Sequence, residues 1–190
     1  TYGFIFDGYT SMDNILDEQI VTFDISEVKE MAPEIFDAII FNTVSLCWDN
    51  CVTNGTIMKD KYDKGAIKFE DVVRFLIIID ESHRWINAQK LQAVQMITVY
   101  LREARKFFGG IMMASQSIRD YVPEGSADAA INQIKSIFEL TQYKFIFQQD
   151  SNTLSLIDKV FENVLTSSQR NQIPYLEQGQ NILCISSQSN

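Results

Sequence analysis

Five consecutive apolar residues, Phe75–Ile79, run straight into two carboxylates, Asp80 and Glu81. No other feature of the chain restricts its fold as much. The run is too short for a core helix and lacks the alternation of a strand with one wet face. It reads as a strand buried on both faces, the kind found in parallel sheets covered by helices. The acidic pair at its end has two readings. Either it stops the strand in water, as acidic residues often do, or it stands at the strand's tip to hold a metal ion and a water.

The flanking segments fit such a sheet. Residues 19–26 alternate and are β-branched enough for a strand. Residues 32–52, with Pro33 near the start and apolar residues on nearly every side, predict a deeply buried helix. Residues 53–71 are polar, contain Gly55 and Gly65, and predict a flexible loop. Leu91, Val94, Ile97, Leu101 and Ala104 recur at helical spacing within 88–107, before Gly109 and Gly110. Residues 110–117 predict a second buried strand. A helix over 126–140, a strand over 143–149, a helix over 151–161, a short helix over 167–173 and a strand over 181–186 complete the chain. The expected fold is α/β: one domain over 1–190, with a mostly parallel central sheet and helices on both faces. Ligands of such sheets lie outside the carboxyl ends of the strands. Asp80–Glu81 and Ser115–Gln116 both fall there.

Composition narrows the function. With 190 residues, 46% of them hydrophobic, the chain can bury one ordinary core. A net charge of −9 disfavours broad nucleic-acid binding by these residues. Cys47, Cys51 and Cys184 are an odd count, suited to a reducing compartment. Cys47 and Cys51 are one helical turn apart but lack a second cysteine pair, so buried thiols are expected rather than a metal site. No apolar run approaches the roughly 20 residues of a membrane span. No basic-then-apolar leader opens these residues, which begin at Thr1, as a piece of a longer protein would.

Phosphoryl transfer to water needs a magnesium ion, an oriented water and compensation for phosphate charge. Asp80 is placed to hold Mg2+, commonly through water. Glu81 beside it can orient or deprotonate the attacking water, and Gln116 on the neighbouring strand can sense the terminal phosphate.

"FLIIIDESHRWI" followed by "YLREARKFFGGIMMASQSIRDY" resembles the conjugative-transfer ATPases of type IV secretion systems, the large TraC/TraE/TrsE-type, VirB-class motors of the RecA-like HerA/FtsK group. The matching positions are Asp80, Glu81, Arg102, Arg105, Lys106, Gly109 and Gln116; Ser115 departs from the threonine more usual there. The tail "SSQRNQIPYLEQGQNILCI" is similar to the closing motif of that family, and "FDGYTSMDNILDEQIVTFDIS" to its linking segment. The resemblance implies a RecA-like P-loop NTPase fold and a hexamer with ATP and Mg2+ between neighbours. It also implies Arg102 or Arg105 reaching a neighbour's phosphate, and Arg170 as a further interface cation. Each arginine has the simpler reading of a solvated helix face. No G-x-x-x-x-G-K-[ST] occurs in these residues. The family carries that loop upstream, so the chain is expected to be the C-terminal part of a motor domain that binds ATP weakly or not at all alone. Other type IV secretion subunits, and DNA for the parent protein, are the implied partners, at the cytoplasmic face of a bacterial membrane. "DESH" also looks like the DExH box of helicases, where His83 would couple nucleotide to nucleic acid; Trp85 is expected to pack under the following helix. A DExH helicase domain and a non-catalytic module keeping the NTPase fold are the alternatives.

Overall fold

The structure, a computed structural model, describes residues 15–162 and 164–186. Residues 6–14 of the linking segment lie outside that range. The chain divides into two compact units, one of residues 1–77 and 106–110, the other of 78–105 and 111–190.

The spine of the first unit is α1, Pro33–Asp63, with its proline at the first helical turn. There the missing N–H costs nothing. The helix continues through residues 53–63, where a flexible loop was expected. Gly55 is the reason for the difference. It is buried, and a Cβ at this position would collide with the backbone of Phe107. The glycine therefore permits close packing instead of breaking the helix. Two turns earlier, Trp48 meets the Phe107 ring edge-on at 5.9 Å, and next to Gly55, Asn54 Nδ2 donates to Val73 O at 2.9 Å. Only Lys64 onward leaves the helix, through a turn with Gly65 at φ +68° and a 3-10 turn at Phe69–Asp71. Among the described helices α1 alone is long and apolar enough to cross a membrane, although no single apolar run announces it. Residues 20–25 form no strand; Ile20 is 83% exposed and finds no ladder partner among the described residues.

β1 (Phe75–Ile79) and β2 (Gly109–Met113) pair with each other. Phe75 N donates to Phe108 O at 3.1 Å at one end and Ala114 N to Ile79 O at 3.0 Å at the other, so the strands are parallel. The expected burial on both faces does not hold. Ile77 is buried, but Leu76 and Ile78 are 59% and 65% exposed. β1 thus alternates despite its unbroken apolar sequence.

The second unit packs α2 (Leu91–Glu103) on α4 (Asp128–Leu140). The buried stripe of α2 is Ala93, Val94, Ile97 and Tyr100, shifted from the expected one because the aromatic Tyr100 turns inward in place of Leu101. Tyr121, Phe138 and Phe161 form an edge-on aromatic stack with centroid spacings of 5.4 and 4.9 Å. Tyr121 closes α3 (Ile118–Tyr121), and α5 (Leu154–Val160) and α6 (Ser167–Gln172) follow. β3 (Tyr143–Ile146) pairs with β4 (Ile182–Ile185) in antiparallel register, Tyr143 opposite Ile185 and Phe145 opposite Leu183. The fold is mixed α/β, with one parallel and one antiparallel strand pair among the described residues, rather than the expected mostly parallel central sheet. All three cysteines are buried and outside any disulfide, and burial pushes Cys47 and Cys184 above the usual thiol range.

Candidate functional site at the tips of β1 and β2

Parallel pairing brings the carboxyl ends of β1 and β2 together. Beyond Ile79 the backbone turns sharply, and Glu81 adopts φ +49°, in the left-handed region that a residue with a side chain avoids. Four contacts hold it there. Its amide donates to Asp80 Oδ1 at 2.9 Å and its carbonyl accepts from Arg84 N at 3.0 Å. Its Oε1 accepts from Gln116 Nε2 at 2.8 Å, and its Oε2 lies 3.5 Å from His83 Nδ1. Strain of this kind costs about 1–3 kcal/mol and persists only where the surroundings over-determine it.

Ser82 fastens the turn from below. It is buried, its amide and its hydroxyl both reach Ala114 O at 2.9 Å, and its oxygen lies 2.5 Å from the Tyr121 hydroxyl. Burial raises the Tyr121 phenol, helped by the charges of Asp120 and Glu81 and opposed by the hydrogen bonds to Ser82 and Ser115. Trp85 and Ile86 follow, both buried. On the β2 side Ser115 Oγ lies 2.9 Å from His83 Nδ1. Ser117 caps α3 in a reciprocal capping box with Asp120. Gln149, just past β3, spans this exit: its Nε2 donates to Gln116 O at 2.9 Å and its Oε1 accepts from Ile118 N at 3.4 Å.

The structure therefore assembles Asp80, Glu81 and Gln116, with His83, Ser115 and Gln149 around them. It does not gather the arginines in the same way. Arg102 is exposed and lines a shallow hollow with Gln95, Thr98 and Gln133, with no hydrogen bond or ion pair among the described residues. Arg105 and Lys106 stand exposed on the 3-10 turn Ala104–Phe107. Arg170 Nε donates to both Asp158 oxygens, at 2.7 and 2.8 Å, and that carboxylate raises its already high pKa. Sequence reasoning missed Ser82, Tyr121 and Gln149, since a buried hydroxyl pair and a bridging amide leave no spacing signature. Among the described residues no three His, Cys, Asp or Glu side chains cluster as a metal site. Asp80 is exposed and spends one oxygen on the Glu81 amide, leaving a carboxylate oxygen open to a cation's water shell.

No known family model matches the chain. An uncharacterized protein of Bacillus anthracis, pXO2-09, is 35% identical over 186 residues, 98% of this chain but 29% of its own length. The solved structure of VirB4 of Thermoanaerobacter pseudethanolicus superposes with a TM-score of 0.62 and 17% identity, over 87% of this chain and 38% of that one. The chain thus spans about a third of the proteins it matches, and its likeness to VirB4 is one of fold.

Proposed function

We propose that the chain forms the hydrolytic part of an ATP-driven motor of the conjugative-transfer, type IV secretion kind, with the phosphate loop supplied elsewhere in a longer protein. The observation that carries this is the 2.8 Å bond between Gln116 and Glu81 at the ends of adjacent parallel strands, with Asp80 alongside. An acid and an amide in that position can orient a water and report on a phosphate. The VirB4-like fold supports the same assignment.

In this scheme Glu81 orients and deprotonates the attacking water, Gln116 senses the terminal phosphate, and Asp80 would hold Mg2+. The ion supplies charge compensation for the phosphates. Arg102 and Arg105, on the surface of α2 and the turn after it, are the cations assigned to a neighbouring subunit's phosphate in a hexamer. Arg170 is the weaker interface candidate, because Asp158 already engages it. The motor would work at the cytoplasmic face of a bacterial membrane beside other secretion subunits.

The test uses the full-length protein that carries this chain. Glu81→Gln is expected to retain ATP binding and to cut hydrolysis by about 10²–10⁴, the usual worth of a general base. Turnover within about twofold of the parent would remove Glu81 from that role.

A further inference from the structure

Both oxygens of Glu81 face a partner, and the two partners differ in kind. Gln116, on β2's exit, is an amide for which a phosphate oxygen can compete, being an anionic acceptor like the carboxylate it now bonds. His83 is fixed from several sides. Its ring lies 2.9 Å from Ser115 Oγ, its carbonyl accepts from Asn87 Nδ2 at 2.8 Å, and it sits in the 3-10 turn Ser82–Arg84 that Ser82 pins to Ala114.

The geometry also orders the protons. Two acceptors, Ser115 Oγ and Glu81 Oε2, converge on the single nitrogen Nδ1. A lone pair there would face a carboxylate; an N–H there donates to Ser115 Oγ and presents its positive end to Glu81 Oε2. Ser115 then accepts from the ring and turns its own proton toward Ser117 O or Asp120 Oδ2, each at 3.4 Å. A chain of polar contacts thus runs from the Glu81 carboxylate through His83 and Ser115 to the capped start of α3.

We propose, resting on the function assigned above, that His83 is a positioning residue for Glu81. With Ser115 it anchors Oε2 of the carboxylate, so that Oε1 can pass from the Gln116 amide to the attacking water without the side chain swinging off line. In the absence of nucleotide the same two contacts keep Glu81 occupied and idle. A carboxylate held by Gln116 alone would lose its only anchor at the moment it is needed.

The experiment compares steady-state ATP turnover of the full-length protein with its Glu81→Gln, His83→Ala and His83→Asn variants. His83→Ala is expected to lower kcat about tenfold with KM for ATP within about twofold, since the anchor acts on the base and not on binding. His83→Asn should recover to within about threefold of the parent, because its amide N–H can stand where Nδ1 stands. A purely structural histidine would make the two variants lose activity alike, together with their melting temperature. If His83→Ala does not fold, Ser115→Ala, which removes the ring's other partner, should lower kcat about threefold at constant KM. The positioning role is overturned if Glu81→Gln abolishes turnover while His83→Ala (or Ser115→Ala in its place) keeps the parent's kcat, or if asparagine rescues nothing. If Glu81→Gln itself keeps full turnover, the hydrolytic assignment falls, and the anchor with it.

Discussion

Tyr121 and Ser82 show how a single buried hydroxyl pair can hold two strand tips in register. Ser82 donates to the Ala114 carbonyl, which leaves the tyrosine to donate to the serine oxygen. Tyr121→Phe keeps the ring in the aromatic stack but leaves an oxygen of Ser82 without its donor. The expected loss is about 1 kcal/mol by denaturant unfolding, the ordinary worth of one buried hydrogen bond. A pH dependence follows with a definite sign. The folded phenol titrates above its ordinary 10.0, so its contribution is fully present below that value. It disappears as pH rises through the raised folded value. Tyrosinate absorbance should therefore show an ionisation above the ordinary phenol range that is lost in Tyr121→Phe. At this scale the meeting of Glu81 and Gln116, with Asp80 alongside, was legible from the polar pairs that close two successive apolar runs. The Tyr121 hydroxyl and the Arg170–Asp158 pair were not, since nothing in residue type or spacing announces a partner on another helix.

Among the elements, α1 departs most from its sequence pattern. A glycine followed by a polar, lysine-rich stretch reads as a loop, yet the helix continues because Gly55 lets Phe107 approach its backbone. Gly55→Ala sets two effects against each other. Helix propensity would gain about 1 kcal/mol, and overpacking would cost about 1–3 kcal/mol. Because the obstructing atoms include backbone, which cannot swing aside, overpacking should win. A net destabilisation of up to about 2 kcal/mol is expected in chemical denaturation. The direction of β3 against β4 was illegible for a different reason. The 35 residues between Ile146 and Ile182 can return the chain either way, and short apolar strands carry no mark of direction.

For the whole molecule, charge and surface point in different directions. A net charge of −9 keeps copies apart. The β3–β4 pair, however, exposes Tyr143, Phe145, Leu183 and Ile185 on one face, each between 45% and 60% exposed. Apolar side chains grouped in this way favour association. The 190-residue chain is expected to self-associate with rising concentration, more strongly as salt screens its charge. Phe145→Ser should weaken that association in sedimentation velocity while changing the melting temperature by no more than about 3 °C, since the ring is already half in water. Monodisperse behaviour of the parent chain at high salt would contradict this. The fold class was readable as α/β from the succession of segments, but the extent of sheet coverage was not, because an apolar strand looks the same whether one face or both are packed.

Gln148 and Gln149 extend from one short stretch of backbone in different directions. The first grips the Pro174 carbonyl after α6, the second the exit of β2 on either side of Ser117. Two neighbouring amides thereby act as a crossbar between segments distant in sequence, and slack introduced at either end is felt at the other. A substitution near Pro174, far from Glu81 in sequence, can in this way disturb the backbone that carries Gln116.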